Sequence, residues 1–312
     1  MAKIGIVLAT YNGEKYLAQM LDSLLAQTRQ ADFIVAVDDG SKDSTPEIIK
    51  SYQDRLPLQV TTLEKNSGHR AAFSKALELA KPQLSDNDLI ALADQDDVWL
   101  PQKLEVLEKS IEEYSLVFGD AQVIDADGKP LFDSWRAIAH IQKNVPVETR
   151  IAGTNNITGC LSLFKVSLLQ YVLPIPAVVG VHDAWVGMIA AKHGNIKALD
   201  EPVIQYRLHD SNSVGLGNHY NFDETCKRQI AWTDMLLEQA KLLDLNETET
   251  SFLKKLNRYW HKRKTRAILP EALPFLVHFR QFLFPEPCGR LKKVLFSTLG
   301  APAVHLIFGH DK

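Results

Sequence analysis

The sequence predicts an α/β protein: a Rossmann-like, mostly parallel sheet flanked by helices, followed by a helical, basic C-terminal extension. Short apolar runs recur through the first hundred residues, stretches of helical spacing separate them, and acids stand where two of the runs end. An apolar run without alternation reads as a strand buried on both faces. Strands alternating with helices build a parallel sheet covered on both sides.

The elements follow in order. Ile4 to Thr10 is the first such run, and Tyr16, Leu17, Met20, Leu21, Leu24 and Leu25 then recur at helical spacing. Phe33 to Val37 is a second strand that ends in Asp38-Asp39-Gly40-Ser41. Thr45 as N-cap and Pro46 at the first helical position open the next helix. Leu58 to Leu63 reads as a strand, Arg70 to Ala80 as a helix, Leu89 to Ala93 as a strand and Gln102 to Tyr114 as a helix. Leu116 to Ile124 is a strand that carries Asp120. Residues 126–150 are expected as a long loop ordered by ligand. Ile157 to Phe164 reads as a strand, Lys165 to Val172 and His182 to Lys192 as helices, and Val203 to Leu208 as the last strand. From Phe222 the pattern is helical. The domain boundary is expected near 215, giving residues 1–215 and 216–312.

A chain of 312 residues suits one large α/β domain with an appendage, and 46% hydrophobic with 23% charged residues is ordinary for a folded protein. Cys160, Cys226 and Cys288 are far apart, without zinc spacing, which points to a reducing compartment. Met1-Ala2-Lys3 leads directly into a strand, so no secretory leader is expected. The net charge of −3 hides an asymmetry: residues 251–312 hold 12 Lys and Arg against 3 Asp and Glu, interleaved with apolar runs. A basic amphipathic tail suits an anionic membrane surface; its bland alternative is a helical cap on the acidic part. Val294 to Gly309 is shorter than the ~18 apolar residues of a spanning helix and contains Gly300, Pro302 and His305. The tail is too apolar for a solvated arm, and no nucleic-acid partner is expected.

Asp94-Gln95-Asp96-Asp97-Val98-Trp99 directly follows the fourth strand. Open α/β sheets bind ligands at their carboxyl edge. Clustered acids there repel one another unless a cation joins them, and Mg²⁺ or Mn²⁺ takes oxygen ligands and shares its shell with phosphate. The bland reading is an acidic turn ahead of a helix. Neither G-x-G-x-x-G nor G-x-x-x-x-G-K-[ST] is present, which excludes the usual dinucleotide and P-loop grips. The first turn is instead Ala9-Thr10-Tyr11-Asn12-Gly13.

These segments, with Leu24-Leu25-Ala26-Gln27-Thr28 and Asn66-Ser67-Gly68 leading to Arg70, resemble the inverting family 2 nucleotide-sugar glycosyltransferases of GT-A fold. Asn155 to Cys160, His182-Asp183-Ala184-Trp185 and Tyr206-Arg207-Leu208-His209 look like the rhamnosyltransferase-like branch. The resemblance covers residues 4–215. It implies that Asp94 and Asp96 form the D-x-D motif, with Asp96 as principal metal ligand, Asp94 at the ribose or metal shell, and His209 near the metal or diphosphate. It places Thr10, Tyr11, Asp38, Asp39 and Arg70 at the nucleotide, with Tyr11 stacking on the base. It makes Asp183 the base that deprotonates the acceptor, although an Asp at a helix start is often only a cap. Asn156, Gly159 and His182 would line the acceptor or sugar pocket, Asp120 would be a further sugar contact, and Trp99 and Trp185 would pack. Arg70 could equally be a surface charge.

The implied donor is a nucleoside-diphosphate sugar (dTDP-rhamnose or a UDP-sugar). The acceptor would be a lipid-linked saccharide at the cytoplasmic face of the plasma membrane, in bacterial surface polysaccharide synthesis. A sugar-nucleotide nucleotidyltransferase is the first alternative, but it opens with a glycine-rich basic loop that is missing here. A non-catalytic transferase-like binding module is the second; the retained Asp94, Asp96 and Asp183 weigh against it.

Overall fold

The computed structural model describes residues 2–209, 221–266, 268–285, 293–295 and 297–298. The first half of the chain runs β1 (Ile4–Thr10), α1 (Leu17–Leu25), β2 (Phe33–Asp38), α2 (Thr45–Ser51), β3 (Leu58–Thr62), α3 (His69–Ala80) and β4 (Leu89–Ala93). The apolar runs are strands because both of their faces are covered: every residue of β2 and β4 is buried. β1 pairs in parallel with β2 and with β4, and β2 in parallel with β3. This register brings Thr10 level with Asp38, and Leu8 level with Ala93. The turns after β1, β2 and β4 therefore share one edge.

There follow β5 (Val98–Trp99), α4 (Lys103–Ile111), β6 (Leu116–Ile124), β7 (Pro130–Phe132), α5 (Trp135–Ile138), α6 (Val147–Ile151), β8 (Ser162–Lys165), α7 (Leu169–Val172), α8 (His182–His193) and β9 (Ile196–Arg207). The sheet order is β3-β2-β1-β4-β8-β6-β9-β5, with β7 on β6. β8 is antiparallel to both neighbours and pairs only with Leu89 to Ala91 of β4. Beyond that point β4 has no strand beside it on that side, and the sheet opens where the acidic turn begins.

Several local expectations need correction. Residues 126–150 are not a loop waiting for ligand; they form β7, α5 and α6. The protein's own contacts order the stretch around α5. Asp120 accepts from Ser134 Oγ (2.5 Å) and Arg136 N (3.0 Å). Arg136 donates to Leu199 O (2.7 Å), and Trp135 stacks on Tyr206 at 4.6 Å. Asp120 thus acts as an internal brace. The strand expected over 157–164 shrinks to β8 because Gly159–Leu161 forms a 3-10 turn. The helix expected over 165–172 divides into a 3-10 turn and α7. β9 begins seven residues before the expected Val203 because it pairs along the whole of β6. The residue flanking α2 is Ser44; Thr45 lies inside the helix, and its hydroxyl accepts from Gly13 N at 2.7 Å.

The chain forms two compact units, Met1–Asn144 with Asn155–Gly217, and Val145–Thr154 with Asn218–Lys312. The boundary expected near 215 lies outside the described residues, as does most of 294–309. Sequence patterning placed 145–154 with the sheet; it belongs to the second unit, where Trp232 donates to Ile151 O at 3.0 Å. The second unit contains α9 (Phe222–Glu238), α10 (Glu247–Thr265), α11 (Leu273–His278) and α12 (Arg280–Leu283). A capping box between Asn246 and Glu249 starts α10. Phe252 is wholly buried there, with ring centroids 4.7 Å from Phe279, 6.1 Å from Phe282 and 6.2 Å from Phe275. Phe252→Ala is expected to destabilise this unit by about 3–5 kcal/mol, read as a lower denaturant midpoint of the helical signal.

Candidate functional site

The turns at the carboxyl edge are built by buried acids. Asp38 is fully buried; its carboxylate accepts from Thr10 Oγ1 (3.0 Å), Ser41 N (3.1 Å) and Ser41 Oγ (2.5 Å). Asp39, 2% exposed, accepts from Ser67 N (2.8 Å) and Gly68 N (2.7 Å) and so shapes the approach to α3. Thr10 and Asp38 bind one turn to the next. Tyr11, by contrast, is 41% exposed. Arg70, in the first turn of α3, is half-buried and donates to Ile175 O at 3.4 Å.

The acids after β4 turn in different directions. Asp94 and Asp96 are half-buried, whereas Asp97 is buried. His209 Nε2 lies 2.9 Å from Asp96 Oδ2. Asp94 gathers instead with Asp97 and Cys160, whose ligand atoms lie within 4.8 Å of one another. The expected set of Asp94, Asp96 and His209 is therefore divided between two adjacent groups. Burial pushes the Asp94 carboxyl up to about 7, helped by the charges of Asp96 and Asp183. Burial likewise raises Asp97 and the Cys160 thiol well above their ordinary values. Lys103 sits in the same pocket, fully buried; burial holds it down to about 7 against the pull of Cys160, Asp97 and Asp94. Its ammonium donates to Cys160 O at 2.6 Å and lies 3.1 Å from the Trp99 ring centroid.

Arg207, the last residue of β9, anchors this turn. Its guanidinium donates to Asp96 O (2.9 Å) and Gln19 Oε1 (2.6 Å) and lies over the Tyr16 ring; its backbone N–H donates to Asp97 Oδ1 (3.0 Å). Sequence reasoning singled out neither Arg207, Lys103 nor Asp97 as a site residue. The available signal was a Lys three residues beyond Trp99-Leu100 and an Arg two before His209. Neither signal is specific without the fold.

Asp183 lies in the first turn of α8, whose cap position is Val181, so it is not the capping residue. Its carboxylate accepts from Asn155 Nδ2 (2.9 Å) and Gly159 N (3.0 Å). Burial raises it to about 6, with these bonds pulling the other way. A Cβ on Gly159 would lie 2.8 Å from His182 Nε2, so only glycine admits this approach. His182 is 5% exposed, stacks on Phe73 at 3.8 Å and is held to about 3 by burial, hence neutral. Asn156, 3% exposed, donates to Gln142 O (2.8 Å) and Lys143 O (2.9 Å). Asn156 and His182 were expected to line the acceptor pocket. Both are buried in this structure. Trp99 and Trp185 are buried packing residues, as their expected role required.

The donor set decides what cation fits. Asp94 and Asp96 offer half-buried carboxylates and His209 an imidazole, ligand types that Mg²⁺ or Mn²⁺ accepts. Asp97 lies buried behind them, in the same pocket as Lys103. The Cys160 thiol, raised and sealed in, does not suit a hard cation.

The pattern described as "Glycosyl transferase family 2" matches residues 5–173. An uncharacterized glycosyltransferase of Nostoc sp. is 28% identical over 219 residues, covering 68% of this chain and 66% of that protein. The poly(ribitol-phosphate) beta-N-acetylglucosaminyltransferase TarS of Staphylococcus aureus is 34% identical over 116 residues, 36% of this chain and 20% of its own length. The chain spans less than two thirds of these relatives. Among solved structures, S. aureus TarS 1-349 in complex with UDP-GlcNAc superposes with a TM-score of 0.61 at 19% identity, covering 98% of this chain and 83% of that one. The mannosyltransferase PcManGT of Pyrobaculum calidifontis, in complex with GDP-Man and Mn²⁺, gives 0.52 at 17% identity, with 88% and 75% covered. These likenesses show the GT-A fold. With more than half of its length matched by the family pattern, this chain belongs to glycosyl transferase family 2.

Proposed function

We propose that the chain is an inverting glycosyltransferase that moves a sugar from a nucleoside-diphosphate donor to a hydroxyl of a surface-polysaccharide acceptor. The observation that carries this reading is one cleft edge with two kinds of acid. Asp94 and Asp96 stand after β4, and Asp183 is near enough for its charge to raise Asp94. Asp183 takes the proton of the attacking hydroxyl; its raised pKa keeps it a usable base near neutrality. Asp96, Asp94 and His209 would hold Mg²⁺ or Mn²⁺, which when bound supplies charge neutralisation at the leaving diphosphate. Tyr11 offers its exposed ring to the base, and Arg70 its charge to the nucleotide. Thr10, Asp38 and Asp39 keep the nucleotide edge in shape from behind.

The likeness to TarS supports a surface polymer as acceptor and a UDP-sugar as donor; the branch motifs support dTDP-rhamnose. A lipid-linked acceptor would place the enzyme at the inner face of the plasma membrane. No helix among the described residues is long and apolar enough to cross a membrane. The second unit nevertheless exposes Ile268, Leu273 and Val277, in a segment whose α10 carries Lys254, Lys255, Arg258, Lys262 and Lys264. That combination suits peripheral contact with anionic lipid.

Asp183→Asn is expected to keep donor affinity and lower kcat by about 10²–10⁴-fold. In the parent protein, kcat/KM should fall as pH drops below about 6, because protonated Asp183 cannot accept the acceptor's proton. Steady-state kinetics from pH 5 to 8 check both; near-normal turnover in the variant removes Asp183 as base. Asp96→Ala should abolish Mn²⁺-dependent nucleotide binding in a calorimetric titration, and unchanged affinity refutes its assignment. Truncation before residue 266 should release the protein from anionic vesicles in a sedimentation assay, whereas continued pelleting argues against the tail as anchor.

A further inference from the structure

Gln95 is the middle residue of Asp94-Gln95-Asp96, where a D-x-D motif leaves the residue unspecified. Its Oε1 accepts from Tyr11 N at 2.8 Å, and its Nε2 donates to Tyr11 O at 3.0 Å. One side-chain amide thus satisfies both backbone groups of a single residue, as a neighbouring strand would. The pair joins the turns after β1 and β4 beyond the last register pair of those strands, Leu8 with Ala93. Tyr11 is 41% exposed, so its backbone and not the packing of its ring holds it in place.

Gly13 has a matching peculiarity. A Cβ there would lie 2.3 Å from Gln95 Oε1 and 2.6 Å from its Cδ, and the next nearest atom is Gln95 Nε2 at 3.2 Å. Its φ is outside the left-handed region, so an alanine there meets no backbone strain, and its Cβ would displace the Gln95 amide. The two residues form one device: Gly13 leaves the space, and Gln95 fills it to reach Tyr11.

We infer that Gln95 is a positioning residue that presents the Tyr11 ring to the donor's nucleobase, with Gly13 as the residue that admits it. The inference rests on the proposed nucleotide site. It assigns base recognition to the Gln95–Tyr11–Gly13 unit and leaves the diphosphate to the acids.

The test uses the full chain with Mn²⁺, and uridine and thymidine diphosphates and inorganic pyrophosphate as probes. Gln95→Ala should weaken the preferred nucleoside diphosphate about tenfold, as expected for losing a pair of modest hydrogen bonds. Pyrophosphate affinity should stay unchanged. Gly13→Ala should weaken the nucleotide similarly in the parent protein and have no further effect in the Gln95→Ala background, a coupling that independent structural damage would not produce. In ligand-free protein, hydrogen exchange at the Tyr11 amide should accelerate in Gln95→Ala. Unchanged exchange there, equal losses for pyrophosphate and nucleotide, or additive effects of the two substitutions would each overturn the inference. A parent protein that binds neither diphosphate, yet shows the exchange change, would instead sink the proposed function and leave the clamp standing without that ligand.

Discussion

Negative charge held out of water at the carboxyl edge of a sheet is the constraint on which this structure depends. An unpaired buried carboxylate is costly, so each one recruits donors or a counter-charge. Asp38 takes two hydroxyls and an amide, Asp39 takes two amides, and Asp120 takes Ser134 and Arg136. Asp97 takes the Arg207 amide and shares its pocket with Lys103. Meeting these needs fixes the path of every turn around the cleft.

The acids therefore divide by burial into two sets with different work. Asp38, Asp39, Asp97 and Asp120 lie almost wholly out of solvent and act as braces. Asp94, Asp96 and Asp183 stay half-buried at the surface that those braces define. A braced edge is preorganised: its dipoles need little rearrangement when a charged ligand arrives, and that is where electrostatic catalysis gains most. The same burial raises Asp94 and Asp183 toward neutrality, so structure and chemistry draw on one cause.

Much of the first unit was legible from residue order. β1, β2, β3, β4 and β6 appear within a residue of their expected limits, because continuous apolar runs leave little choice of register. The stretch 126–165 is not legible in this way, because its order comes from single polar contacts, such as Asp120 to Arg136 and Asn156 to Lys143, which carry no periodicity. At the site, the residue types at strand ends were readable. Their directions were not: in a tight turn, neighbouring acids such as Asp96 and Asp97 face opposite ways, and only the surrounding partners say which.

Sequence alone determined the alternation of strand and helix, the acids after β2 and β4, and the basic apolar tail, since each is a property of adjacent residues. The tertiary structure decided that Asp97 and not Asp96 turns inward, that Gln95 grips Tyr11, that Arg207 secures the acidic turn, and that residues 145–154 join the second unit. These outcomes depend on partners 84 to 111 residues away in the chain, or on burial that no local window contains. The charge of a residue is written in the sequence; the cost of that charge is set by what the fold brings beside it.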